Sequence, residues 1–226
     1  MGTQRINKGH REWLDNEYSQ WVKALQESTV DNFGSHPMVK RMLGEVSGPD
    51  FAILCDGKYD DISIWPGLKT VMSLGGEFTG NVWRMIYYAQ KVLERNPTVI
   101  CEIGGGVGQF YAVLLSMGYT GKYYIYDLKE AQEFQGDYLF EFWKRSGIKP
   151  GDMSKDYEFD YCVSFYAFGE FDDTTKQHFI NTVISKVPHG MMVFNPHSGA
   201  SSEIPFPCKV EDEYPLTSPG NKFLSW

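Results

Sequence analysis

Apolar residues in this chain first recur at helical spacing and then, in the second half, alternate with short β-branched and aromatic runs. From about residue 10 to 27, Trp13, Leu14, Trp21, Val22 and Leu25 share one helical stripe, and a shorter helical pattern follows His36-Pro37 through Met42 and Leu43. The stretch 47–76 is rich in Gly, Pro and Asp, with apolar patches at 51–54 and 62–65, and predicts a connector with one or two short strands. An amphipathic helix is predicted over about 78–93, with Phe78, Val82, Met85, Ile86, Ala89 and Val92 on its buried side.

From there the pattern becomes strand, turn, helix, repeated. A β-branched strand at 98–103 runs into a cluster of glycines, and an apolar helix at 110–117 stops near Gly118. A second strand at 123–126 ends at Asp127 and precedes a helix to about residue 144 whose stripe is Ala131, Phe134, Tyr138 and Phe142. A third strand at 161–165, a helix at 174–187 and a fourth strand at 191–194 follow. Strands separated by helices of this length imply an α/β fold, a Rossmann-like, mostly parallel sheet with right-handed crossovers and flanking helices. The segment 147–156 is too short and polar for a strand plus crossover helix, so one of the usual elements is expected to be missing or reduced. The pieces at 209–214 and 222–226 predict an antiparallel hairpin at the sheet edge. The chain thus divides into an N-terminal helical region and connector over 1–75 and a Rossmann-like catalytic domain over 76–226.

Composition narrows the function. With 226 residues and 42% apolar content the chain buries one sizeable core. A formal charge of −8 argues against a broad nucleic-acid surface and favours a small neutral or cationic acceptor. Cys55, Cys101, Cys162 and Cys208 lie far apart, without C-x-x-C or histidines at zinc-finger spacing, and read as buried thiols. No acidic cluster demands a metal. The polar N-terminus and the lack of an apolar run long enough to span a membrane lead to the expectation of a soluble, cytoplasmic enzyme; a homo-oligomer is compatible with this. Aromatic pairs such as Tyr123-Tyr124 and Phe165-Tyr166 are expected in the core.

The most informative segment is Glu102-Ile103-Gly104-Gly105-Gly106-Val107-Gly108. Glycines between a buried strand and a helix permit positive φ and let a ligand touch the backbone. A dinucleotide fingerprint counted from Gly104 would place its third glycine at Gln109, which disfavours a dehydrogenase. Asp127 closes the next strand about 20 residues on, where an acidic side chain can accept hydrogen bonds from ribose hydroxyls. Otherwise Asp127 would be an N-cap and Glu102 a partner in a solvated ion pair.

The E-x-G-x-G-x-G pattern resembles that by which S-adenosylmethionine (SAM)-dependent methyltransferases hold the methionine and ribose part of their donor. More closely, Gly104 to Phe110, Gly118-Tyr119, Tyr124-Ile125-Tyr126-Asp127-Leu128 and Gln135 to Leu139 are similar to a bacterial family of candidate sugar O-methyltransferases. The similarity covers roughly residues 30–226 and includes Asn32-Phe33, His36-Pro37 and the closing Glu213-Tyr214-Pro215-Leu216-Thr217 to Asn221 and Trp226. Where that family carries an N-S-F-S-E-M-like segment, this chain has Tyr166-Ala167-Phe168-Gly169-Glu170-Phe171, in which Phe168 and Glu170 match. Ala167 and Gly169 remove hydroxyls the family often has. The resemblance implies a class I methyltransferase fold and binding of SAM, with S-adenosylhomocysteine as product, by Glu102, Gly104, Gly105, Gly106, Gly108, Asp127 and Leu128.

Methyl transfer to a hydroxyl needs in-line alignment and a base for the proton. In parallel α/β sheets the site lies outside the carboxyl ends of the strands, which nominates Glu170 and His197 after the third and fourth strands. Glu170 would otherwise cap the helix near Asp172, and His197 would be a solvated loop residue. His10, His36, His178 and His189 read as structural. Arg84, on the helix before the first strand, is placed to pair with the donor's carboxylate, the alternative being a surface salt bridge. The expected activity is methyl transfer to a small-molecule hydroxyl, on a sugar or sugar conjugate. The alternatives are an N- or nonsugar O-methyltransferase, or a SAM-binding pseudoenzyme or interaction module.

Overall fold

The computed structural model describes residues 18–29, 36–37, 55, 73–74, 77–78, 80–143, 148–151, 157–195 and 203–226. Helix α1 (Tyr18–Glu27) buries Ala24 and Leu25 and packs on the helix that follows the second long strand. Trp13, Leu14, the helical pattern after His36-Pro37 and most of the connector lie outside the described residues. A two-stranded ribbon, β1 (Ser73–Leu74) and β2 (Glu77–Phe78), leads to α2 (Gly80–Leu93). Phe78 therefore sits in a strand before the helix, while Val82, Met85, Ile86, Ala89 and Val92 are buried as their spacing predicts.

The main sheet is assembled from β3 (Val99–Ile103), β4 (Lys122–Tyr126), β5 (Ile148–Pro150), β6 (Tyr161–Phe165), β7 (Gly190–Phe194), β8 (Lys209–Asp212) and β9 (Lys222–Ser225). Its order is β5-β4-β3-β6-β7-β9-β8. The first five strands are parallel, and β9 then β8 join antiparallel, so the predicted hairpin is formed, with β9 against β7. The crossovers are α3 (Gln109–Ser116), α4 (Lys129–Trp143), the short α5 (Ala167–Glu170) and α6 (Asp173–Thr182). The expected helix to 187 stops earlier because Val183 leaves helical geometry at φ −122° and ψ −65°, and a 3-10 turn at Ile184–Lys186 completes the connection. The segment in which one element is expected to be missing or reduced contains a strand of only three residues, β5, paired parallel to β4. Three residues ending in proline show no periodicity, yet proline is tolerated where only one side of a strand is paired.

Strict alternation along each strand feeds two cores. Ile100, Tyr123, Ile125, Tyr161, Val163, Phe165, Met191 and Val193 face α2, α3 and α4, whereas Cys101, Ile103, Tyr124, Tyr126, Cys162, Met192 and Phe194 face α6. Tyr111 stacks on Tyr123 at 4.3 Å between centroids, and Tyr88 on Phe165 at 5.0 Å. Cys55, Cys101 and Cys162 are buried thiols, whereas Cys208 is half-buried. No helix among the described residues is long and apolar enough to cross a membrane.

Candidate functional site

Chain connections run outward from β3 in both directions, to β4 on one side and β6 on the other, so the crevice between their carboxyl ends is the topological switch point. The glycine turn closes that crevice. Gly104 (φ +76°) donates to the Tyr126 carbonyl at 2.8 Å, which ties the turn to β4. A Cβ on Gly104 would lie 2.1 Å from the Cβ of Ala167, so the close approach of the turn to α5 demands glycine. Gly106 (φ +59°) is different: a Cβ there would meet nothing within 4 Å among the described residues. The turn is thus packed on its protein side and open at Gly106, a cradle into which a ligand can press.

Glu102 lies beneath the turn, 2% exposed, and accepts from the Tyr123 hydroxyl at 2.9 Å. Its alternation places it on the α3 face, where its carboxyl would contact any side chain at Gly105. Burial pushes the carboxyl up to about 8, against the Tyr123 hydrogen bond and helped by the Asp127 charge. A raised carboxyl stabilises the fold fully below its unfolded value near 4.5 and loses that contribution as pH rises through 8. Glu102→Gln should therefore gain melting temperature over the parent protein progressively between pH 5 and 9. Parallel melting curves across that range would show that Glu102 does not titrate there.

Asp127 braces the same turn from β4. Its Oδ2 accepts from Gly106 N at 2.8 Å and Gln135 Nε2 at 3.2 Å, and its Oδ1 from Leu128 N at 2.8 Å. A carboxylate offers about four acceptor sites, so about one remains for a ligand. Burial raises Asp127 to about 6, with the Leu128, Gly106 and Gln135 hydrogen bonds opposing. Gln135, fully buried on α4, also donates to the Gly106 carbonyl at 2.8 Å. Leu128 is half-buried beside it.

Arg84 forms no ion pair among the described residues. It donates to Asn81 Oδ1, and its guanidinium lies 4.4 Å from the ring centroid of Tyr166. Asn81 in turn donates to Gln109 Oε1 at 2.7 Å, and both Arg84 Nε and Gln109 Nε2 are buried without a hydrogen-bond partner among the described residues. A positive group and an unused amide donor are thereby gathered beside the turn.

Sequence reasoning missed two residues here. Tyr166, expected in the core, is half-buried at the end of β6 with φ +72°, a conformation that bulky side chains adopt only when their surroundings enforce it. Glu213, 2% exposed, receives hydrogen bonds from Tyr88, Tyr166, Thr217 and Asn221. Although burial raises its pKa, those hydrogen bonds outweigh it and hold Glu213 below its ordinary value. The only signal in the sequence was the Glu213 to Asn221 segment itself, whose spacing says nothing about what it reaches.

Glu170 ends α5 one turn beyond Tyr166 and is half-buried. It does not cap the following helix, because the Asp172 side chain accepts from Thr175 N at 2.7 Å. His197 lies outside the described residues. The small residues Ala167 and Gly169 have a packing reason: the first meets Gly104, and a Cβ at the second would lie 2.5 Å from the Asn195 carbonyl oxygen. No metal-binding group of three or more His, Cys, Asp or Glu occurs among the described residues.

Among solved structures, the chain is similar to a candidate O-methyltransferase from Nostoc punctiforme, with a TM-score of 0.51 and 12% identity over 90% of this chain and 71% of that one. It is also similar to a SAM-dependent methyltransferase from Aquifex aeolicus, with a TM-score of 0.46 and 14% identity over 62% of this chain and 89% of the other. The glycopeptide N-methyltransferase MtfA aligns with a TM-score of 0.40 and 15% identity over 48% of this chain and 53% of its own, so this chain spans about half the length of that enzyme. No family model and no curated protein sequence matches the chain. The Nostoc likeness shows the Rossmann-like methyltransferase fold.

Proposed function

We propose that this chain is a SAM-dependent methyltransferase that transfers the donor's methyl group to a hydroxyl of a small molecule, a sugar or sugar conjugate. The observation that carries this reading is the open face of Gly106 at the switch point, braced from behind by Asp127. SAM supplies an electrophilic methyl on a sulfonium, and the remaining work falls to the chain. Gly104, Gly105, Gly106 and Gly108 present backbone rather than side chains to the donor, with Glu102 supporting them from below. Asp127 accepts one ribose hydroxyl in its remaining site, Leu128 packs against the nucleoside, and Arg84 with Gln109 Nε2 receives the donor's carboxylate.

In the in-line displacement the acceptor's O–C bond forms as the S–C bond breaks, and the hydroxyl proton leaves to a base. Glu170 and His197 are the candidates for that base. The likeness to a candidate O-methyltransferase supports an oxygen acceptor. The test is calorimetric titration with S-adenosylhomocysteine and, separately, NAD, followed by labelled SAM with panels of nucleotide sugars and of amines. Binding of NAD alone overturns the proposal, and label appearing only on amines overturns the hydroxyl assignment. Replacing the true base, by Glu170→Gln or His197→Asn, is expected to lower turnover by about 10² to 10⁴ while S-adenosylhomocysteine affinity stays unchanged. Near-normal turnover in both variants removes both candidates.

A further inference from the structure

Glu213 has the features of a group that sets geometry at a distance. Its Oε1 accepts from the Tyr88 hydroxyl at 2.9 Å and from the Tyr166 hydroxyl. Its Oε2 accepts from Thr217 N at 3.0 Å, Thr217 Oγ1 at 2.6 Å and Asn221 Nδ2 at 3.0 Å. All five partners are donors, and together they fill the acceptor capacity of a carboxylate. A saturated, buried carboxylate has no lone pair to offer a substrate proton, so Glu213 is not a base for the reaction.

Its hydrogen bonds instead join the loop before β9 to two other elements. One is Tyr88 on α2; the other is Tyr166, whose left-handed backbone at the end of β6 needs an external hold. The ring held in this way is the surface under the Arg84 guanidinium. Among the described residues Arg84 has two anchors, the Asn81 amide oxygen and that ring, and its Nε has no hydrogen-bond partner there.

We propose that Glu213 is a positioning residue: through the Tyr166 hydroxyl it fixes the ring that carries Arg84, so the C-terminal segment 213–221 sets the affinity of the site for the carboxylate end of its ligand. The proposal rests on the reading of the crevice as a SAM site with Arg84 at the donor's carboxylate. It predicts a selective effect. Loosening Tyr166 disturbs Arg84 but leaves the glycine turn and Asp127 in place, because these are braced from β4 and α4.

The experiment compares two ligands by calorimetry: S-adenosylhomocysteine, which has the amino-acid end, and 5′-methylthioadenosine, which lacks it. Glu213→Gln turns an amide NH₂ toward donors and should weaken S-adenosylhomocysteine about five- to thirtyfold, the range of a lost cation–π anchor, with 5′-methylthioadenosine affinity unchanged. Tyr166→Phe, which keeps the ring and deletes only the hydroxyl, should act in the same direction and carries the test should Glu213→Gln fail to fold. In an Arg84→Met background neither substitution should weaken S-adenosylhomocysteine further, since the group they position is gone. Equal weakening of both ligands, no weakening of either, or a full additional loss on top of Arg84→Met would overturn the proposal. If the parent protein binds neither ligand, the donor reading itself is at fault and the proposal falls with it.

Discussion

Valine in place of Gly106 should abolish binding of SAM and S-adenosylhomocysteine, lowering affinity by at least about a hundredfold, in a protein that still folds. The separation of the two effects follows from the space around the residue. No atom of the described residues lies within 4 Å of the position a Cβ would take, so that part of the fold meets no clash. Its only penalty is a β-branched residue at φ +59°, on the order of 1 to 2 kcal/mol. The added methyls stand where the proposed ligand meets the backbone. Gly104→Ala serves as the contrast. Its Cβ would sit 2.1 Å from that of Ala167, so the turn or α5 must move, and the expected effect is lost stability of about 1 to 3 kcal/mol from overpacking. Thermal unfolding and calorimetry on both variants distinguish these outcomes. A folded Gly106→Val protein with parental affinity would remove the turn from the binding site.

Asp127→Ala should weaken S-adenosylhomocysteine about ten- to a hundredfold at pH 7.5. The substitution removes one acceptor from the ligand and three from the protein, leaving the Gly106 and Leu128 N–H groups and the Gln135 amide without their carboxylate. An unsatisfied buried donor costs about 1 to 3 kcal/mol, and the turn proposed to cradle the ligand bears that strain. The pH dependence gives a second readout. With Asp127 raised to about 6 in the free protein, and the ionised form the better acceptor for a ribose hydroxyl, affinity should hold above pH 7 and fall as pH drops through 6 toward 5. Asp127→Asn should bind weakly and show no such decline. A parental affinity that is flat from pH 5 to 8 would mean that the Asp127 charge takes no part in binding.

These two residues were legible before any coordinates because their chemistry is local. Positive φ at the carboxyl end of a buried strand selects glycine, and an acidic residue closing the next strand lies beside it once the two strands are paired in parallel. The helix over Gly80–Leu93 and strands β3, β4, β6 and β7 were legible for a related reason: their burial is set by short-range periodicity of 3.6 or 2. Strand β5 was not, since three residues at an edge carry no period.

Burial alone did not distinguish roles. Glu102 and Glu213 are both acidic residues of a folded core, each 2% exposed, yet one is pushed up by desolvation and the other held down by hydrogen bonds. The difference lies in what surrounds each carboxyl: one hydroxyl for Glu102, and donors from α2, the end of β6 and the segment before β9 for Glu213. Tyr166 and Arg84 likewise meet only because β6 is inserted beside β3 and α2 packs across them. From its sequence alone the chain determines its strands, its glycine cradle and the acidic residue beside it, because each is decided by neighbours within a turn or a strand pair. The network from Glu213 through Tyr166 to Arg84 was decided by tertiary structure, since its members are separated by up to 129 positions between Arg84 and Glu213 and only the sheet order brings them within hydrogen-bonding and stacking distance.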